Sequence, residues 1–145
     1  MKVNIKKLDA RAVTPSYGSE YAAGADLYAC TEGEVVIPPH STAVIPTGIA
    51  VELPIGFAGL IYARSGLAPK KGLAPANKVG VVDCDYRGEV KVALHNHSDA
   101  EQTVSAGERI AQFVITPYLT EEFTEADDLS RTVRGAGGFG STGAK

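Results

Sequence analysis

Eight prolines and 16 glycines interrupt this 145-residue chain so often that no long helix has room to form. Between the breaks lie short apolar runs. Val3 and Ile5 alternate with polar neighbours, and Ala25 to Ala29 is ended by Thr31-Glu32-Gly33. Val35 to Ile37 stops at Pro38-Pro39, Thr42 to Ile45 at Pro46-Thr47-Gly48, and Ile49 to Leu53 at Pro54-Ile55-Gly56. Phe57 to Ala63, Val79 to Val82, Val90 to Leu94, Thr103-Val104 and Ile110 to Ile115 complete the set. Many short strands with turn residues between them predict an all-β sandwich or barrel. Thr14 to Gly18 reads as a loop. Two places resist this pattern. Leu119, Phe123 and Ala126 have helical spacing, and the stretch from Arg64 leaves room for a single helical turn that opens near Ser65 and is stopped by Pro69.

The length suits one domain. Hydrophobic residues make up 44% and charged residues 21%, the balance of a globular rather than a disordered chain. Net charge is −3, and the only basic clusters are the doublets Lys6-Lys7 and Lys70-Lys71. No nucleic-acid or membrane partner is therefore expected at a cationic face. The first residues lack the apolar run of a signal peptide and no stretch approaches a membrane span, so a cytoplasmic protein is expected. Cys30 and Cys84 could form one disulfide by arithmetic, but neither sits in a metal-type cluster. His95-Asn96-His97 has a metal-like spacing without a third ligand nearby; it reads as a strand-end pair with no assigned role.

Chemistry concentrates in five stretches. Gly80 to Val90 reads as one hairpin, with Asp85-Tyr86-Arg87-Gly88 as its turn. Asp83 ends the first arm, where backbone on both sides could hold a carboxylate as a general base requires. Tyr86 lies at the turn, where its ring could project over a ligand. The same residue types also serve an ordinary solvated turn. Arg64-Ser65-Gly66 offers a charge, a hydroxyl and backbone N–H groups to an anion, or a plain helix cap with a surface arginine. Asp26 is a lone acid in an apolar stretch. It needs a partner or a metal such as Mg²⁺ bound together with phosphates, or else backbone donors at a strand edge. Gln112 alternates with apolar neighbours and could point its amide into a polar cleft.

The tail, Arg134 to Lys145, holds five glycines in twelve residues. Ordering such a tail costs about 1–2 kcal/mol per residue, with few side chains to offset it. Yet it carries Arg134 at its base and Phe139 in its middle. Its G-x-G-x-x-G lacks the flanking strand and helix of a dinucleotide fingerprint, and Ser141 stands where a Walker loop has lysine. What remains is backbone able to approach phosphate oxygens.

Taken together, Ala23 to Ala29, Ala63 to Ala68, Gly80 to Val90, Gly107 to Gln112 and Arg134 to Gly143 resemble the five motifs of the trimeric deoxyuridine triphosphatases (dUTPases). Order and spacing match across essentially the whole chain. Cys84 is a departure, standing where that family usually has serine. The resemblance implies a β jelly roll, or distorted barrel, over residues 1–133, and a flexible arm, residues 134–145, that closes a neighbouring active site. It implies a homotrimer in which one subunit supplies the hairpin, a second the Arg64-Ser65-Gly66 and Gln112 donors, and a third the tail. The implied reaction is dUTP and water to dUMP and pyrophosphate with Mg²⁺, an activity that limits uracil in DNA and supplies dUMP for dTTP synthesis.

Carried onto this chain, Asp83 would activate the water that attacks the α-phosphorus, and Asp26 would hold waters of a Mg²⁺ bound mainly by the triphosphate. Arg64, Ser65, Gly66 and Gln112 would grip phosphate oxygens. Arg134, Gly140, Ser141 and Thr142 would close on the γ-phosphate end, with Phe139 stacked on uracil. Tyr86 would lie under the deoxyribose, while Asn77, Gly80 and Val82 would read the uracil edge. Two other readings stand beside this one. A dCTP deaminase of the same superfamily would need an added acid–base residue for the base. A non-catalytic nucleotide-binding regulator would be expected to have lost Asp83, Asp26 or the tail.

Overall fold

The computed structural model describes residues 2–138, so the expected roles of Phe139, Gly140, Ser141 and Thr142 lie outside the described residues. Its elements are β1 (Asn4–Lys7), β2 (Ser16–Tyr17), β3 (Ala25–Tyr28), β4 (Val35–Ile37), β5 (Thr42–Pro46), β6 (Ile49–Glu52) and β7 (Phe57–Tyr62). A short helix α1 (Ala68–Lys71) follows, then β8 (Leu73–Pro75), β9 (Gly80–Val82), β10 (Lys91–Asn96), β11 (Gln102–Val104) and β12 (Arg109–Pro117). The all-β expectation holds. Pairing is antiparallel throughout, in sheets ordered β2-β3-β12-β7-β9, β5-β10-β8, β1-β6 and β4-β11.

All four sheets bury side chains in one core. Leu27, Ile61 and Phe113 come from the five-stranded sheet, Ile45, Val92, Leu94 and Leu73 from the three-stranded one, and Ile37, Val104, Ile49 and Val51 from the two pairs. Alternation places these residues. Along β10, Val92, Leu94 and Asn96 turn inward while Lys91, Ala93 and His95 do not. Asn96 is fully buried, so its amide must be satisfied internally. Its Nδ2 lies 2.8–3.1 Å from the carbonyl oxygens of Ile37, Pro38 and Ala100, and its Oδ1 accepts from the Ser98 N–H and hydroxyl. The middle residue of His95-Asn96-His97 is thus a structural link between β10 and the end of β4. Both cysteines are free.

The predicted hairpin does not form as one. Strand β9 pairs with β7, whereas β10 pairs with β5 and β8. Val82 and Val90 both turn into the core, so the segment between them crosses from one sheet to another. Burial of the two valines from opposing sheets wins over local pairing of the arms. Other differences are smaller. Thr14 to Gly18 contains β2, whose Ser16 pairs with Asp26. Strand β8 falls in a stretch with no alternation to reveal it. Pro69 does not stop the helical turn but sits in its first turn, where a missing N–H is harmless, and Gly72 at φ 68° ends it. No helix forms over Leu119 to Ala126. Leu119 and Phe123 are 85% and 99% exposed, and an apolar stripe with nothing to pack on does not sustain a short helix.

Gly59 is dictated by packing. The Phe113 ring lies over it diagonally across the β7–β12 ladder, and a Cβ there would stand 2.2 Å from the ring. Gly59→Ala should cost about 1–3 kcal/mol through overpacking. Urea unfolding measures this, and wild-type stability in the variant would contradict the packing.

Candidate active site

Opposed residues of antiparallel strands share a face. Asp26, Gln112 and Tyr62 stand opposite one another across β3, β12 and β7, on the face turned away from the core. Asp26 is only 4% exposed, and a carboxylate so buried requires partners. It has two. Arg64 donates from Nε to Oδ1 at 2.8 Å, and Arg109 donates from Nη1 to Oδ2 at 3.2 Å. One acid between two guanidiniums leaves a local charge of +1. The Arg109 side chain is half-exposed and uses one nitrogen, so most of its fork remains free. Such a cluster suits a multiply charged anion.

Arg109 belongs here although the sequence reading passed over it. Three positions before Gln112, it would face the opposite way in a regular strand. A bulge between Arg109 and Ala111 shifts the register, pairing Arg109 with Tyr28 and Gln112 with Asp26. The extra residue turns consecutive Ile110 and Ala111 into the core and brings Arg109 onto the face of Gln112. The only signal in the sequence is Asp26 itself, a buried acid in need of cations.

Beyond β7 the chain turns sharply. The Arg64 carbonyl accepts from both the Leu67 and the Ala68 N–H at 3.0 Å. Ser65 and Gly66, both exposed, keep N–H groups that no backbone carbonyl accepts among the described residues. Of the expected donors, Arg64 and Gln112 meet Asp26, and Ser65 and Gly66 follow Arg64 directly in the chain. Lys71 steadies the turn by donating to Glu108 Oε1 at 2.7 Å and to the Thr103 carbonyl, while Glu108 Oε2 accepts from the Ser105 N–H. Burial works against ionisation of Glu108, but these hydrogen bonds outweigh it and hold the carboxyl below its ordinary range.

The second group surrounds a cleft of about 260 Å³ at the sheet edge. Asn77, Gly80, Val82, Asp83 and Tyr86, singled out in the sequence, all line it. Because β9 is an edge strand, one side of its backbone is unpaired with any neighbouring strand. The Tyr86 ring folds back over Gly88, where a Cβ would meet the hydroxyl at 2.4 Å, and that hydroxyl donates to the Glu89 carbonyl at 3.1 Å. The ring thus forms a wall of the cleft instead of projecting freely. Asp83 is exposed, and its carboxylate accepts no hydrogen bond among the described residues. Backbone holds the residue on both sides, through β9 before it and the Tyr86 N–H on its carbonyl after it, but none of these bonds reaches the carboxylate. A somewhat larger cavity, of about 310 Å³, is lined by Val3, Ile5, Tyr17, Phe113 and their neighbours, and contains no acid or base that would suit catalysis.

Within one chain the cleft and Asp26 stay apart. Gly80 pairs with Ile61, and three strand spacings separate β9 from β3, about 14 Å in all. Arg134 joins neither group; its Nε donates to the Gly137 carbonyl at 2.7 Å in a local turn. Among the described residues no three His, Cys, Asp or Glu side chains are grouped to hold a metal ion. Both Asp26 oxygens are already bonded to arginine, so a cation would have to arrive on phosphate oxygens and be reached through water.

Since the Glu108 carboxyl titrates below its ordinary pKa of 4.5, its contribution to stability is complete above that value and is lost as pH falls through the depressed one. Acidification from about pH 5 to about pH 3 should therefore destabilise the wild type more steeply than Glu108→Gln. Denaturant unfolding across that range tests this, and parallel curves would refute it.

A family model described as dUTPase matches residues 10–143. A deoxyuridine 5'-triphosphate nucleotidohydrolase of Hydrogenobaculum sp. is 51% identical over 145 residues, covering 100% of both chains. One from Syntrophotalea carbinolica is 45% identical over 141 residues, covering 97% of this chain and 96% of its own length. Among solved structures, the Staphylococcus bacteriophage 80alpha dUTPase with dUPNHPP superposes with a TM-score of 0.91 at 29% identity, covering 99% of each chain.

Proposed function

The chain belongs to the dUTPase family, and from that membership we infer that it hydrolyses dUTP to dUMP and pyrophosphate on a jelly-roll scaffold. The family is that of the hydrolase, so the deaminase and the non-catalytic readings are not favoured. The observation that carries the assignment of roles is the edge-strand cleft, in which Asp83 stands beside exposed backbone while the other lining acid, Glu89, is taken up by the Gly48 N–H and Lys91.

The ionised Asp83 carboxylate takes a proton from a water as its oxygen bonds the α-phosphorus. The bond from that phosphorus to the bridging oxygen breaks in line, and pyrophosphate leaves with the electron pair. Asn77 and the backbone of Gly80 and Val82 read the uracil edge. Rigid backbone cannot rotate to accept cytosine, and a site reading one hydrogen-bond pattern rejects another by about 10⁴–10⁵. The Tyr86 ring, locked over Gly88, lies where a ribose 2′-hydroxyl would have to fit.

Arg64, Ser65, Gly66 and Gln112 bind phosphate oxygens around the Asp26 cluster. Mg²⁺ carried by the triphosphate, with Asp26 on its waters, neutralises phosphate charge when bound. Arg134, Gly140, Ser141 and Thr142 close over the γ-phosphate, and Phe139 stacks on the base for on the order of 1–3 kcal/mol. Residues 134–145 act as that arm and residues 1–133 as the barrel. In one chain the cleft strand and Asp26 stand three strand spacings apart, about 14 Å, and a homotrimer would let a neighbour's donors face each cleft. No helix among the described residues is long and apolar enough to cross a membrane. A cytoplasmic location without nucleic-acid partners fits this reading and the charge of −3.

Pyrophosphate release should be specific to dUTP over dTTP, dCTP and UTP and should need Mg²⁺. Asp83→Asn should lower kcat by about 10²–10⁴ while dUTP still binds, as loss of a general base predicts. Full turnover by the variant would remove Asp83 from its role. Light scattering on the eluted protein should give the mass of three chains; a monomer turning over at the same rate would refute the shared site.

A further inference from the structure

Asp83, on which the proposed reaction depends, is poorly supported by contacts of its own. The side chain next to it is tethered. Cys84 Sγ, half-buried, lies 3.3 Å from the Tyr118 hydroxyl. The Cys84 carbonyl also accepts from Arg87 Nη1 at 2.7 Å, so this residue is held at both ends. Tyr118 is anchored in its turn. It is the residue after the β7–β12 ladder ends at Phe57 and Pro117, and its N–H donates to the Gly56 carbonyl at 3.0 Å. The phenol thus joins a rigid sheet end to the turn that carries Asp83. Its hydrogen bond with Cys84, then burial, and further the charge of Asp83 raise the phenol above its ordinary pKa of 10.0. It is therefore protonated at neutral pH.

We propose that Tyr118 is a positioning residue for the hydrolysis: through the Cys84 sulfur it fixes the turn at residues 83–86 and so the direction of the Asp83 carboxylate. This rests on Asp83 being the base. A carboxylate free of side-chain contacts is aimed only by its backbone, and a small misplacement of a reacting group is costly in rate. Substrate affinity should be insensitive, because neither Tyr118 nor Cys84 lines the cleft.

Steady-state kinetics and thermal midpoints of Tyr118→Phe, Cys84→Ala, Cys84→Ser and the double variant Tyr118→Phe/Cys84→Ala test this. Tyr118→Phe and Cys84→Ala should each lower kcat roughly ten- to a hundredfold, as a misaimed group would. KM should stay within about twofold, since only the chemical step is disturbed. Cys84→Ser, whose hydroxyl can bond the phenol, should keep near wild-type kcat. The double variant should be no slower than either single one, because both remove the same link. Several results would overturn the proposal: unchanged kcat in Tyr118→Phe or Cys84→Ala, a rise in KM alone, Cys84→Ser as slow as Cys84→Ala, multiplied losses in the double variant, or a kcat loss matched by a lowered midpoint. Failure of the functional reading looks different, since the wild type would then release no pyrophosphate from dUTP and Asp83→Asn would change nothing.

Discussion

A charge inside a sheet must find its opposite, and Asp26 shows how much structure follows from that. It lies in β3, a strand buried at three of its four positions. Its two partners come from 38 and 83 residues further along the chain. The ion pairs therefore clamp β3, the turn after β7 and the start of β12 into one relation. Stability alone does not account for the cluster, because well-packed apolar residues often replace a buried ion pair without loss. Its use lies in the excess charge. One carboxylate orders two guanidiniums without neutralising both, and Ser65 and Gly66, which follow Arg64 in the chain, keep N–H groups that no backbone carbonyl accepts among the described residues.

The cleft, to which the proposed function assigns reading of the base, solves a different problem by different means. Specificity between uracil and cytosine needs groups that cannot adapt, and the free edge of a paired strand is such a group. The cleft therefore sits on β9, whose other edge is fixed by β7 and whose Val82 is anchored in the core. The crossing that follows ends as firmly. Thr47 Oγ1 donates to the Val90 carbonyl, the Val90 N–H donates to Ile49, and Glu89 accepts from the Gly48 N–H. Between these anchors Asp83 has only its backbone and the tether at Cys84. A base that must take up and give back a proton benefits from having no strong partner of its own, provided something else sets its direction.

Much of this was legible from residues alone. Proline and glycine spacing with alternating valines and isoleucines gave nearly every strand, and four of the five short motifs marked residues that line the cleft or stand at or next to Asp26 and its partners. The failures have physical causes. Val79 to Leu94 looks like a hairpin because both arms alternate around a turn, yet alternation says only which side is buried, never which strand is the neighbour. Arg109 was missed because a period-two reading is blind to a one-residue bulge. Pro69 reads as a stop because its place within the helical turn is not visible before the turn is built.

Local chemistry, then, determined the class of fold, the acid at position 83, the acid at position 26 and the donors at positions 64 to 66. These are statements about residue type and near neighbours, and sequence is a record of both. Which strands lie side by side, where the bulge falls, which cations reach Asp26 and what aims Asp83 were decided only by the tertiary structure. The reason is that each depends on how buried side chains from distant segments fill a common core, and that competition has no local signature.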